Sequence, residues 1–282
     1  MSQRLSFYGS TPEDPRDDLL SSYLTVLERR NGSLDIERPF PTREAWMEES
    51  EGWTVRSRRR VDPQAFMEGF TGGQTDRGDL ALQALLTFVR INAGEAYGVE
   101  VVSRLRKPRG HEMVSRVERV LQHEETYHTR ILLGATRQFD VPTPTLAWKP
   151  GFALRGLIAT IAIAPNAIHH PVTLASELAG IFAFNWLLER LPTLFPEEPE
   201  LRETLEQRLI EILVDEVGHV AYQRMCVGPV GLRVARRMAP EVARSSFPDM
   251  AALGWSPATL NEVSRLDLEH LPDEVRRRAF FV

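Results

Sequence analysis

Two stretches decide how this chain is read: LQHEETYH at residues 121–128 and ILVDEVGH at residues 212–219. Each runs apolar residue, two residues, acid, Glu, two residues, His. On a helix, positions three apart project from nearly one face, one turn apart. Glu125 with His128, and Glu216 with His219, can therefore each reach a common ion. A single E-x-x-H arises from composition alone in a chain this rich in Glu, and a solvated acidic helix face is then its ordinary reading. Two copies in the same order ask for more.

Each copy follows another helical stretch with one poorly explained glutamate. Glu95 stands in TFVRINAGEAYGVEVV and Glu177 in TLASELAGIFAFNWLL. Successive helix hairpins thus each supply Glu, then Glu-x-x-His, the ligand order of a four-helix bundle that holds two metals in its core. Four carboxylates match the charge of two divalent ions, and two imidazoles complete the shell while leaving positions open. Without a cation, four glutamates among apolar helices would be costly. Glu177 is the most telling of them, a lone acid amid Leu, Ala, Ile, Phe and Trp.

The rest of the chain fits a helical frame. Asp14-Pro15, Thr42 and Asp62-Pro63 mark starts of short N-terminal helices, with Thr42 as the expected cap of its helix. TGGQTDRGD breaks the chain, and a long helix runs from Asp79 through SRL. A second spans about Gly110 to Phe139. The proline-rich VPTPTLAWKPG is a crossover, a helix or helix pair covers 152–192, and one long helix follows PTLFPEEPE to Cys226. GPVGLRVARRMAPEVA adds another, and the last 40 or so residues read as short packed helices. No alternating strand pattern emerges. The expected architecture is all-α: one domain over 1–282, with a di-metal core at 76–228 and helical extensions at 1–75 and 229–282.

Bulk properties narrow the function. A chain of 282 residues with 43% apolar and 26% charged residues can bury a substantial core. Its net charge of −5 argues against general nucleic-acid binding. One cysteine, Cys226, allows no internal disulfide and fits a reducing compartment; it reads as an apolar filler. The N-terminus lacks a basic start and apolar run, so the expectation is a cytoplasmic protein. Between Gly156 and Leu188 the chain is almost uncharged, but Pro165 and Pro171 cut it into pieces too short for a span, and Glu177 would be expensive there. A buried helix, with no membrane, is expected. Arginine far outnumbers lysine, which suggests a GC-rich bacterial coding sequence. The clusters Arg58–Arg60, Arg236–Arg237 and Arg276–Arg278 read as solvated surface, with anionic docking as the sharper alternative.

The pattern Glu95, Glu125-x-x-His128, Glu177, Glu216-x-x-His219 resembles the ferritin-like di-iron carboxylate proteins, over about residues 76–228. The resemblance implies that Glu125 and Glu216 bridge two irons, with Glu95 and His128 on one and Glu177 and His219 on the other. Manganese fits the same ligands. Bacterial multicomponent monooxygenases carry a similar Asp-Glu-x-x-His, in which the preceding acid supports a histidine across the bundle. That likeness implies that Asp215 orients His128 and Glu124 orients His219. The p-aminobenzoate N-oxygenases add a histidine where this chain has Ile212. His169 or His170 is an alternative source of an extra ligand, although helix-entry histidines are the plainer reading. Where many monooxygenases have Thr, this chain has Ile181. Tyr127 and Tyr222 are candidates for groups near the metals, with ordinary packing as the default.

The implied activity is an O2-dependent di-iron oxygenase or oxidase acting on a small organic molecule, by hydroxylation, N-oxygenation or a related biosynthetic oxidation. Dioxygen would be co-substrate, and a reductase or ferredoxin-type protein the external electron donor. Gly180, Phe184, Leu132 and Ala221 share faces with the ligands and would select the substrate. A ferroxidase or iron-handling protein, a tRNA-modifying hydroxylase and a metal-free interaction bundle are the alternatives. Oligomeric state, a homodimer included, is left open.

Overall fold

The computed structural model describes residues 6–9, 16–34, 40–73, 75–106, 112–142 and 152–282. The Asp14-Pro15 start, the Gly110 start and residues 143–151 of the proline-rich crossover lie outside the described residues. What is described is all-helical; its one β-type pairing is an isolated bridge between Ser6 and Asp267.

Three short helices come first: α1 (Arg16–Asn31), α2 (Pro41–Glu51) and α3 (Pro63–Phe70). The Asp62 side chain accepts from the Gln64 amide and caps α3. Thr42 does not cap α2, contrary to expectation. That helix begins two residues earlier than a Thr42 cap would set it, with Pro41 in its first turn and Phe40 before it making no side-chain cap bond. A proline loses nothing there, since its missing N–H has no partner in the first turn anyway.

Four long helices follow: α4 (Leu80–Leu105), α5 (Glu112–Gln138), α7 (Asn166–Leu194) and α8 (Pro199–Cys226), with the shorter α6 (Phe152–Ile163) between the pairs. Asp79 caps α4 by accepting from the Leu82 amide. On α5, Val114, Val117, Leu121, Glu124, His128, Ile131, Leu132 and Ala135 are buried, a stripe at helical spacing that includes one acid and one histidine. Helix α8 is buried without interruption from Arg208 to Met225. Packing joins α4 to α5, α5 to α8, α8 to α7 and α7 back to α4, so the four long helices enclose a common interior.

Pro171 does not break the apolar stretch as expected. The break is at Ala164-Pro165, and α7 runs through Pro171. In the second turn a proline removes one backbone bond, and this ring is buried close to Gly231, at the start of the helix that follows α8. By length and composition α7 could cross a membrane, but 67% of its most apolar window is buried inside the protein.

The remaining elements wrap this interior. Helix α1 packs on α5 and α8, α2 on α5, α3 on α4, and α9 (Pro229–Ser246) along α7. Beyond it come 3₁₀ turns and the short helices α10 (Pro257–Glu262) and α11 (Asp273–Arg278), the latter against α8. One contiguous apolar cluster runs from Phe7 to Val275.

Candidate metal centre

Each of the four long helices brings at least one acid to the interior they share. Glu125, Glu177, Glu216 and His219 present ligand atoms within 4.8 Å of one another. Glu95, Glu125 and His128 do the same, with Glu125 common to both groups. Glu216 links them further, because its Oε1 is 3.3 Å from His128 Nδ1. All six residues chosen from sequence therefore meet. His128, His219 and Glu216 are closed off, whereas Glu95, Glu125 and Glu177 keep partial exposure on the α4, α5 and α7 side.

Both imidazoles are held from behind, across the interior. His128 Nε2 lies 3.1 Å from Asp215 Oδ2, and His219 Nε2 lies 3.2 Å from Glu124 Oε2. A carboxylate only accepts, so Nε2 carries the hydrogen of the neutral ring and the Nδ1 lone pair faces the cluster. The two supporting acids have different neighbours. Asn31 Nδ2 donates to Glu124 Oε1 at 3.0 Å. Asp215 is paired with the guanidinium groups of both Arg30 and Arg43. Those arginines also reach Glu211, at 2.8 and 3.1 Å, and Arg278 pairs with Glu211 from α11.

The electrostatics follow from burying acids beside acids. Burial, then the charges of Glu125 and Glu216, hold the Glu95 carboxyl well above the usual range. Burial and then Glu216 do the same to Glu177. Glu216 is pushed up to about 8, by burial first and Glu125 second. For Glu125, burial acts upward, but His128 and His219 outweigh it and carry the group below the usual carboxylate range. Burial opposes the charge on His219, yet the adjacent Glu124 and Glu125 hold it well above the ordinary imidazole value.

The donor set fits divalent metal. Glu95 Oε2, Glu216 Oε2, His128 Nδ1 and His219 Nδ1 are buried and make no hydrogen bond. The two Nδ1 atoms come within 3.0 to 3.3 Å of carboxylate oxygens but without hydrogen-bond alignment. Four orphaned donor atoms facing one another are what cations would satisfy, and mixed carboxylate and imidazole ligation suits iron or manganese.

The other sequence candidates lie elsewhere. His170 Nδ1 is 2.8 Å from Gln223 Oε1 and His169 Nδ1 is 3.2 Å from the Ile161 carbonyl; neither belongs to the ligand groups. Tyr127 donates to Glu44 and Tyr222 to Glu118, both away from the cluster. Cys226 is half-buried rather than a buried filler, and Arg16 donates to its sulfur. Arg278 is not merely solvated, since its tip pairs with the buried Glu211. Gly180, Phe184, Leu132 and Ala221 do lie in the buried interior; a Cβ at Gly180 would stand 3.8 Å from Glu216 Oε2.

Sequence reasoning missed Arg30, Asn31 and Arg43, which support both histidines from the N-terminal helices. It also missed Tyr23 of α1, fully buried with an unpartnered hydroxyl, whose ring lies against Gly218. No spacing rule marks these residues, because they act through how α1 and α2 lie on α5 and α8. Comparison with protein families, curated proteins and solved structures returns no match to this chain.

Proposed function

We propose that this chain is a ferritin-like di-iron carboxylate protein that uses dioxygen to oxidise a small organic molecule. The observation that carries the reading is the pair of preassembled donor groups sharing Glu125, with four buried donor atoms that lack hydrogen bonds. Glu95 and His128 would hold one ion and Glu177 and His219 the other, with Glu125 and Glu216 between them. Bound iron would supply dioxygen reduction coupled to substrate oxidation, with electrons from a separate reductase or ferredoxin-type protein in the cytoplasm.

The chain's own residues do the rest. Asp215 and Glu124 fix the ring orientation and tautomer of His128 and His219. The partly exposed side at Glu95, Glu125 and Glu177 is the approach for a small substrate. Leu132, Phe184 and Ala221 exclude water around the centre, and Gly180 keeps bulk away from Glu216. An apolar wall with one open acidic edge favours a small molecule over a polynucleotide.

Metal content after anaerobic loading with ferrous iron tests the centre, for the wild type and Glu177→Ala. The reading expects about two irons per chain and a clear loss in the variant. Oxygen uptake by the loaded protein, screened with small amines and acids, then separates substrate oxidation from simple iron oxidation. A wild type that holds no iron sinks the proposal.

A further inference from the structure

The two histidines are supported unequally, and the difference lies in α1 and α2. Behind His128, Asp215 is clamped by Arg30 and Arg43, and the same group includes Glu211 and Arg278. Three guanidiniums there meet three carboxylates, because Arg278 also pairs with Glu274 of its own helix, and within this balanced group Asp215 is shared between two cations. Behind His219, Glu124 accepts from a neutral amide, Asn31, and its remaining oxygen faces the imidazole. Arg43 also acts on Glu124 through space, but as a more distant influence than its direct pairing with Asp215.

One consequence follows from simple electrostatics. Asp215 Oδ2 serves both Arg43 and His128, so it is a weaker acceptor for the imidazole N–H. His128 is then the poorer metal donor. An independent geometric observation points the same way. The ligand atoms of His219, Glu125, Glu177 and Glu216 all lie within 4.8 Å of one another, whereas the matching set at His128 is Glu95 and Glu125, with Glu216 Oε1 3.3 Å from His128 Nδ1 but outside that compact set.

Resting on the di-metal reading above, we infer that the two positions load unequally. The Glu177/His219 position takes the first divalent ion, and the Glu95/His128 position takes the second more weakly. Arg30 and Arg43 are positioning residues that set this difference through Asp215. The expected gap is roughly 10- to 100-fold in affinity, the range over which partners behind a ligand change metal binding.

Titration of the metal-free full-length chain with Mn(II), followed by calorimetry and electron paramagnetic resonance, tests this. Two separated steps are expected, with a magnetically isolated ion at one equivalent and coupled ions at two. His128→Ala should keep the tight step and lose the weak one, whereas His219→Ala should lose the tight step. Arg30→Gln, at a side chain 14% exposed, should narrow the gap by strengthening the second step. A change in unfolding temperature without a narrower gap would mean a structural role only, and would overturn the assignment to the arginine. One step of two equal ions, or a tight step surviving in His219→Ala, overturns unequal loading while leaving the metal centre intact. A wild type that binds neither Mn(II) nor Fe(II) removes the centre itself.

Discussion

Glu124 and Asp215 stand at matching positions, each one residue before a candidate bridging glutamate, yet losing their charge should have different consequences. Asp215 balances two guanidiniums that are largely withdrawn from water, with Arg43 only 3% exposed. Replacing it by Asn leaves those cations with Glu211 alone, and removal of one partner from a buried ion pair costs about 3–5 kcal/mol. Glu124→Gln keeps an acceptor for Asn31 or the imidazole and abandons no arginine in direct contact, so its stability loss should be less than half as large. Its effect should fall on metal affinity instead, by roughly 10- to 100-fold. Urea unfolding of both metal-free variants, beside a Mn(II) titration of each, checks the contrast. Equal destabilisation would show that the arginine group carries no special weight. The six ligand candidates were legible in the sequence because an acid placed within an apolar helix stripe is costly to bury unless a cation or a donor meets it. Arg30, Asn31 and Arg43 were not, since an arginine or asparagine near a helix end is ordinary on any surface. Only the docking of α1 and α2 gives them a role.

Docking of α1 onto α8 runs through a close approach of side chain to backbone. A Cβ added at Gly218 would come 2.8 Å from the Tyr23 hydroxyl and 3.2 Å from its ring. Tyr23 cannot easily retreat, because its other side stacks on Phe280 with ring centroids 4.8 Å apart. Gly218→Ala should therefore cost about 1–3 kcal/mol by overpacking, despite the gain in helix propensity. Tyr23→Phe should do the opposite. Its hydroxyl is buried without a partner, so removing it relieves a desolvated polar group and leaves the packing surface in place. Chemical denaturation should find the metal-free Phe variant at least as stable as the wild type. A loss above about 1 kcal/mol would mean that the hydroxyl has a bonded partner after all. At this scale the sequence showed helices well where local chemistry sets them. Asp62 and Asp79 cap as aspartates do, and α5 shows its stripe plainly. It misplaced features decided by tertiary packing, such as the start of α2 beside Thr42 and the continuity of α7 through Pro171. Gly218, between Glu216 and His219, has no ligand role in the motif. It is the seat of an aromatic ring from α1, a helix far away along the chain.

Over the whole molecule, the protonation of the interior sets how stability depends on pH. Glu216 has its folded value pushed to about 8 against an ordinary 4.5, and Glu95 and Glu177 are displaced in the same direction. Within that window the folded chain holds protons that the unfolded chain has released. Unfolding free energy therefore falls as pH rises from 4.5 towards 8. His219, also raised, adds to the same loss above its ordinary value of 6.5. Glu124, Glu125 and Glu211 are lowered, so their contribution is present above 4.5 and is lost on acidification. The metal-free chain should be most stable in mildly acid solution and should melt progressively earlier from about pH 5 to pH 8.5. Divalent ions change the sign of the argument, because they replace the protons on those carboxylates and compensate the charge that ionisation leaves behind. Metal-loaded protein should lose the alkaline decline, and loading at neutral pH should release protons into solution. Melting temperature against pH, with and without Mn(II), reads the first effect. Calorimetry of Mn(II) binding in buffers of different ionisation enthalpy reads the second. If the two melting profiles run parallel and no protons are released, the carboxylates are not exchanging protons for metal, and the interior is an acid cluster sustained by hydrogen bonding alone.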